Sequence, residues 1–394
     1  AIPKRHRGVA GRIAYNWNNR YFINFNFGYN GSENFALGHQ YGFFPAVSGA
    51  WNIAEEPIFK DMVWMNMFKI RYSWGKVGND LMKEGSNEIR FPYLYTINSA
   101  DHWYNWGDYN FSNSYQVLRY IQPSSNNMTW EVAKKHDVGI DLSLFKDKFY
   151  LTVDYFHEQR DGIFMRRHYL PQTAIFDTNP FGNVGSVRTS GVDGNVAFKP
   201  SIGEVKLEFR ANMTLSKNEV LEKDEENNVY AYQQDKGYRH GQKKGLIALG
   251  LFKDYDDIRN SPKQNYGRVQ PGDVKYKDVN GDGVIDWNDR VAIGATDKPN
   301  FIYGFATSAS WKGLDINIHF QGAGRSSFYI GGATAKPFSE GKWGNILTDV
   351  PGNYWISKDI SGSEKTENTN AKYPRLQYGW NDNNFQESTL WLRN

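Results

Sequence analysis

Segments that alternate apolar and polar side chains recur through the 394 residues, and the joins between them alternate in length. The segments come in pairs with a small join inside each pair: Asn18-Asn19, about eleven residues after Ala54, Lys146-Asp147-Lys148, Pro200-Ser201-Ile202 and Lys312-Gly313. Between pairs the joins are long, over 31–44, 77–133, 165–187, 217–299 and from 323 onward. This rhythm restricts the fold sharply, because short turns at one end of a sheet and large loops at the other are the layout of a transmembrane β-barrel.

The alternation itself is explicit. Leu314, Ile316, Ile318 and Phe320 point one way, and Asp315, Asn317, His319 and Gln321 the other. Val205, Leu207, Phe209, Ala211, Met213 and Leu215 likewise oppose Lys206, Glu208, Arg210, Asn212 and Thr214. Successive strand side chains leave opposite faces, so this period of two reads as strands with one greasy and one wet face. Strands are expected at 11–17, 20–30, 45–54, 67–76, 134–145, 148–163, 188–199, 203–216, 300–311 and 314–322. Several exceed the usual strand length, as tilted membrane-spanning strands must. Tyr15, Trp17, Tyr21, Phe22, Phe145, Phe149, Tyr150 and Trp311 gather beside the short joins, where amphipathic rings suit the lipid headgroup level. A soluble β-sandwich or propeller also alternates, but strand length, loop asymmetry and aromatic bands favour the barrel. Residues 55–65 open with Glu55, Glu56 and Pro57, which suits a short helical turn on the short-join side.

Composition removes other classes. Aromatic residues reach 16% without any apolar run of the length a membrane helix needs, and a barrel strand needs only about ten alternating residues. A net charge of +3 without a basic run argues against nucleic acid. The absence of cysteine excludes disulfide scaffolds and thiolate metal sites. The segment from Ala1 to Arg7 lacks the apolar core of a signal peptide, so an export signal is expected upstream and the chain is expected to be a fragment.

Four features carry candidate chemistry. Asp278, Asn280, Asp282, Val284 (through its carbonyl), Asp286 and Asp289 fall at the oxygen positions of a twelve-residue calcium loop, with Gly283 at the sharp turn. Position twelve is Asp rather than the longer Glu, and the bland alternative is a loop of Asx-turns needing no ion. Trp103, Tyr104, Trp106, Tyr109 and Phe111 crowd the second long join; such rings stack on substrate, anchor a partner, or pack the loop against its neighbours. Asp154 and Glu158 share a polar strand face beside Asp141, yet charge on the wet face of a barrel is ordinary and no catalysis is expected. His319 is read as lining that same face. There is no nucleophile elbow, phosphate loop or dinucleotide fingerprint, so no enzyme is expected.

A set of motifs then resembles one family. These are Tyr41-Gly42-Phe43-Phe44-Pro45 with Trp51-Asn52-Ile53-Ala54-Glu55-Glu56, Lys69-Ile70-Arg71-Tyr72-Ser73-Trp74-Gly75-Lys76-Val77-Gly78-Asn79, Thr129-Trp130-Glu131, Val138-Gly139-Ile140-Asp141, Asn183-Val184-Gly185 and Ser190-Gly191-Val192-Asp193. Later come Pro271-Gly272-Asp273 running into the Asp278 loop, Ile293-Gly294, Tyr373-Pro374-Arg375-Leu376 and Ser388-Thr389-Leu390-Trp391. In this order they resemble the central-to-late barrel of SusC/RagA-type TonB-dependent outer-membrane transporters of Bacteroidetes. The resemblance implies an all-β, antiparallel barrel of about 22 strands, of which this chain supplies about ten. It also implies that the N-terminal domain, TonB box, plug and last strands lie elsewhere. One barrel domain is therefore expected over 1–394, with 217–299 as a long extracellular loop holding the calcium-like motif. The implied activity is import of oligosaccharides or oligopeptides, with a SusD-like surface lipoprotein as lid, the TonB complex as driver, outer-membrane lipid around the wall, and dimers of transporter–lipoprotein pairs. A siderophore or cobalamin receptor, and a secreted calcium-loop carbohydrate-binding protein, are the alternatives.

Overall fold

The computed structural model describes residues 3–98, 103–105, 114–168, 178–226, 228–332, 335–339 and 346–394. Ten long strands are present: β1 His6–Trp17, β2 Tyr21–Ser32, β3 Tyr41–Asn52, β4 Met65–Asn79, β5 Glu131–Leu144, β6 Phe149–Arg166, β7 Phe181–Phe198, β8 Val205–Glu222, β9 Phe301–Trp311 and β10 Leu314–Gly324. They pair in sequence order, each antiparallel neighbour following the last, with a two-residue strand at Ser201–Ile202 added beside β8. The sheet is open: among the described residues β1 and β10 each have a single strand partner. All ten expected strands appear, and most run longer than their periodicity showed. β8, for instance, continues to Glu222, so the long join after it starts later than expected.

The short joins work through left-handed backbone. Asn18 and Asn19 have φ of 49° and 56°, and Lys312 and Gly313 have 46° and 90°, the turn geometry that matches the twist of a hairpin and that asparagine and glycine accept. The join after β7 differs from expectation in one detail. Ser201 and Ile202 pair with Lys206 and Val205, so the chain reverses at Gly203-Glu204, where Gly203 supplies a φ of 59°. The helical turn expected over 55–65 is a short 3-10 turn at Ile53–Glu55.

Register unites the apolar sides of all these strands. Tyr15 lies opposite Ile23, Ile23 opposite Gly49, Trp51 opposite Ile70, and Ile70 opposite Ile140. Ile140 faces Val153, Leu151 faces Val196, and Ala211 faces Phe305; the Phe305 ring then stacks on Phe320 at 4.7 Å. One apolar face therefore spans the whole sheet, and nothing among the described residues covers it: Ile13 is 68% exposed and Ile316 53%. Packing in this part of the molecule is instead concentrated among the long joins, where Phe35, Met82, Met128, Trp130 and Phe181 form a buried cluster.

The chain divides into two compact units. The first holds the sheet, and the second consists of Asn228–Gln234, Gly241–Asn300 and Ala323–Asn394. The second unit has cores of its own, one around Leu246, Val274, Tyr276 and Ile285 and another around Val350, Tyr373, Phe385 and Trp391. No helix among the described residues is long and apolar enough to cross a membrane.

Candidate functional site

The face opposite the apolar one is polar and densely paired. Arg71 on β4 reaches both Asp141 on β5, with Nε–Oδ2 at 2.7 Å, and Asp154 on β6, with Nη2–Oδ1 at 2.9 Å. Gly139 lies between them and makes this possible, since a Cβ there would meet an Arg71 guanidinium atom at 2.7 Å and the Asp154 carboxylate at 2.0 Å. Glu158 is held by Lys135 and Arg160, both at 3.0 Å. Asp141, Asp154 and Glu158 are thus each salt-bridged. Sequence reading singled out the acids but missed Arg71, although its place two residues from Lys69 and Ser73 on the same polar side was available. His319 takes this face as well, its Nε2 lying 3.4 Å from where a Cβ on Gly304 would be.

Beside the short joins, Trp17, Tyr21 and Trp51 stack in sequence, with centroids 5.6 and 6.5 Å apart. Glu56 fastens this row by accepting from Tyr21 Oη at 2.6 Å and Trp51 Nε1 at 3.0 Å. The Tyr21 bond, more than any other influence, holds the Glu56 carboxyl below its ordinary range.

The Asp278–Asp289 loop is closed by its own backbone. Asp278 accepts from the N–H of Gly281 (2.6 Å) and Gly283 (2.9 Å), and Asp282 accepts from Val284 (2.8 Å). Asn280 accepts from Asp282 N–H at 3.1 Å, and Asp286 from Asn288 N–H at 2.7 Å. Asp289, fully buried, accepts from Val279 at 2.7 Å with one oxygen and from Asp286 at 2.8 Å with the other. It thereby ties the first turn of the loop to the last and completes a capping box on the 3-10 turn Trp287–Asp289. This donor set fits a self-bonded loop. A Ca²⁺ cage needs six to eight oxygens aimed at one point, and no three acidic or histidine side chains converge in that way among the described residues.

Of the aromatic candidates, Trp103 and Tyr104 sit on the short strand Trp103–Asn105, which pairs with Ser114–Gln116, and both are exposed. Trp106, Tyr109 and Phe111 lie outside the described residues.

Several motifs that carried the family resemblance meet in space as structural joints. In the sheet unit, Thr129 N–H donates to Asn183 Oδ1 at 2.8 Å, and Trp130 Nε1 donates to the Gln40 carbonyl at 3.0 Å. In the second unit, Arg375 Nε lies 2.7 Å from Asp273 Oδ1, and Asp273 is fully buried. The Arg375 Nε–H is not aligned on that oxygen, but Arg375 Nη2 donates to Asp273 Oδ2 at 3.4 Å, and Asn384 Nδ2 adds a bond to Oδ1 at 2.9 Å. Gly272 has to be glycine here: its φ is +85°, and a Cβ would meet the Trp355 ring at 2.3 Å. Removing one partner of such a buried pair costs about 3–5 kcal/mol. Tyr276 donates to the Asn383 carbonyl at 2.6 Å, and burial pushes its hydroxyl well above the usual phenol range. Tyr266 is pushed up to about 12, also mainly by burial.

No family model matches the chain. TonB-dependent receptor P3 of Formosa agariphila is 24% identical to it over 395 residues, which is 95% of this chain and 38% of that protein. TonB-dependent receptor P39 of the same organism is 28% identical, covering 79% of this chain and 32% of its own length. TonB-dependent receptor SusC of Bacteroides thetaiotaomicron is 24% identical, covering 76% and 30%. The chain thus spans about a third of the curated relatives it matches. Among solved structures, the RagAB peptide importer in its closed-closed state superposes with a TM-score of 0.70 at 16% identity, covering 99% of this chain and 40% of that one. These relatives are named as receptors, a class without enzymatic activity. Over most of its length in sequence, and in its sheet, the chain is similar to SusC/RagA-type TonB-dependent transporters, and it has the fold of a ten-strand portion of an antiparallel transmembrane β-barrel.

Proposed function

We propose that this chain supplies wall strands and long loops to an outer-membrane transporter that imports nutrients by TonB-dependent opening, working with a SusD-like surface lipoprotein. One observation carries the reading. Ten strands in register present a continuous uncovered apolar face and an opposite face of bridged charges, which suits a wall with lipid on one side and water on the other. The energy-coupling step would engage parts of the protein beyond this chain.

The substrate class follows less directly. RagAB is a peptide importer, which favours oligopeptides over oligosaccharides for a chain of the same fold. Exposed Trp103 and Tyr104 would then contribute contacts on the long-loop side, to substrate or to the lipoprotein. The partnership is tested by purifying the full-length protein in mild detergent. A stoichiometric complex with a surface lipoprotein is expected; a transporter that runs alone in every mild detergent would remove the partner and leave the barrel standing.

A further inference from the structure

On the apolar face of β4–β8 the cations are confined to one end. Between the short joins and the row Tyr72, Val138, Tyr155, Val192, Leu215, this face holds no charged side chain. One row nearer the long joins come Trp74, His136, His157, Ser190 and Lys217, and the next row is Lys76, Lys134, Gln159, Arg188 and Glu219. The side chains alternate strictly through these rows, so both basic rows point outward with the apolar band rather than toward the polar face. Tyr72 and Trp74 mark the border, with Tyr72 Oη 3.0 Å from His136 Nδ1, as expected where a membrane surface begins.

The charges here are unbalanced. Lys134 is paired with Asp161 at 3.1 Å and Arg188 with Glu219 at 2.8 Å. Lys76 and Lys217 have no carboxylate within 4 Å among the described residues. Moreover, Lys76 and Lys134 are direct cross-strand partners, an arrangement of like charges that destabilises a sheet unless an anion lies between them. Long joins mark the outer side of such a barrel, so these lysines reach the headgroup level of the outer leaflet. Their stems are suited to lie along the apolar band with the ammonium groups at the polar surface.

We propose that the outward surface of β4–β8, at its long-join end, binds a phosphorylated lipid of the outer leaflet. Lys76 and Lys134 share one phosphate, and Lys217 with Arg188 faces a second. Strands lie about 4.8 Å apart, so the four strand spacings from Lys76 to Lys217 cover about 19 Å, which accommodates a headgroup with two phosphates. The proposal rests on the outer-membrane reading above.

The test places the full-length transporter in nanodiscs containing either diphosphoryl lipid A or the same lipid stripped of its phosphates, and counts retained lipid by native mass spectrometry. The phosphorylated lipid is expected to be retained about thirtyfold over the stripped one, since Lys76 and Lys217, the two cations without a carboxylate beside them among the described residues, contribute about 1 kcal/mol each near a charged surface. Combined Lys76→Gln, Lys134→Gln and Lys217→Gln should abolish the preference, while Arg at all three positions should keep it, with heat-modifiable gel migration showing that each variant is folded. Equal retention of both lipids, or a preference that survives in the Gln variant, overturns the proposal. A protein that never enters the nanodisc would instead overturn the membrane reading on which it rests.

Discussion

Asp289 shows how much a single carboxylate can do when both its oxygens are spoken for. Its bonds to Val279 and Asp286 tie the first turn of the loop to the last, and the side chain is buried enough that losing them would leave two N–H groups without partners, at about 1–3 kcal/mol each. Asp289→Ala should therefore open the loop to protease. A calcium chelator should leave the cleavage rate unchanged; calcium-dependent protection of the unsubstituted protein would show that the carboxylates re-aim on an ion. The spacing of oxygens along 278–289 was readable as a motif, but its meaning was not. Whether a carboxylate accepts from a backbone N–H or faces a cation depends on loop closure, which spacing alone does not determine. The same holds for Asp273 and Arg375, whose pairing brings together positions about a hundred residues apart.

At the scale of the element, alternation decided nearly everything. Each of the ten strands was legible because a period of two is a local property, and the paired positions across each hairpin follow from turn geometry once Asn18-Asn19 or Lys312-Gly313 sets the register. Strand ends were less legible. β7 starts at Phe181 and β8 ends at Glu222, where polar residues on both sides blur the alternation and only the neighbouring strand keeps the chain extended. The face assignment has a direct check in β10. Ile316→Arg places a charge on the uncovered face and should cost about 2–4 kcal/mol near the bilayer midplane, read as reduced assembly into the membrane, whereas Asn317→Arg, one residue away on the polar face, should assemble normally. Equal behaviour of the two variants would reverse or dissolve the assignment.

For the whole molecule, the open edges of β1 and β10 matter most. Unpaired backbone groups in hydrocarbon cost several kcal/mol each, so residues 1–394 produced alone should give no heat-modifiable, protease-resistant barrel in detergent, while the full-length protein should. A stable monomeric barrel from this segment alone would mean that the two edges meet. By itself the sequence determined strand number, the two faces, the asymmetry of the joins and the family resemblance, because each is written in periodicity or in contiguous motifs. Only the tertiary structure decided that Arg71 bridges two acids across three strands, that the Asp278–Asp289 loop holds itself closed, and that lysines on neighbouring strands stand side by side above the apolar band. Those results depend on register and loop closure, which bring distant residues within bonding range and leave no trace in local spacing.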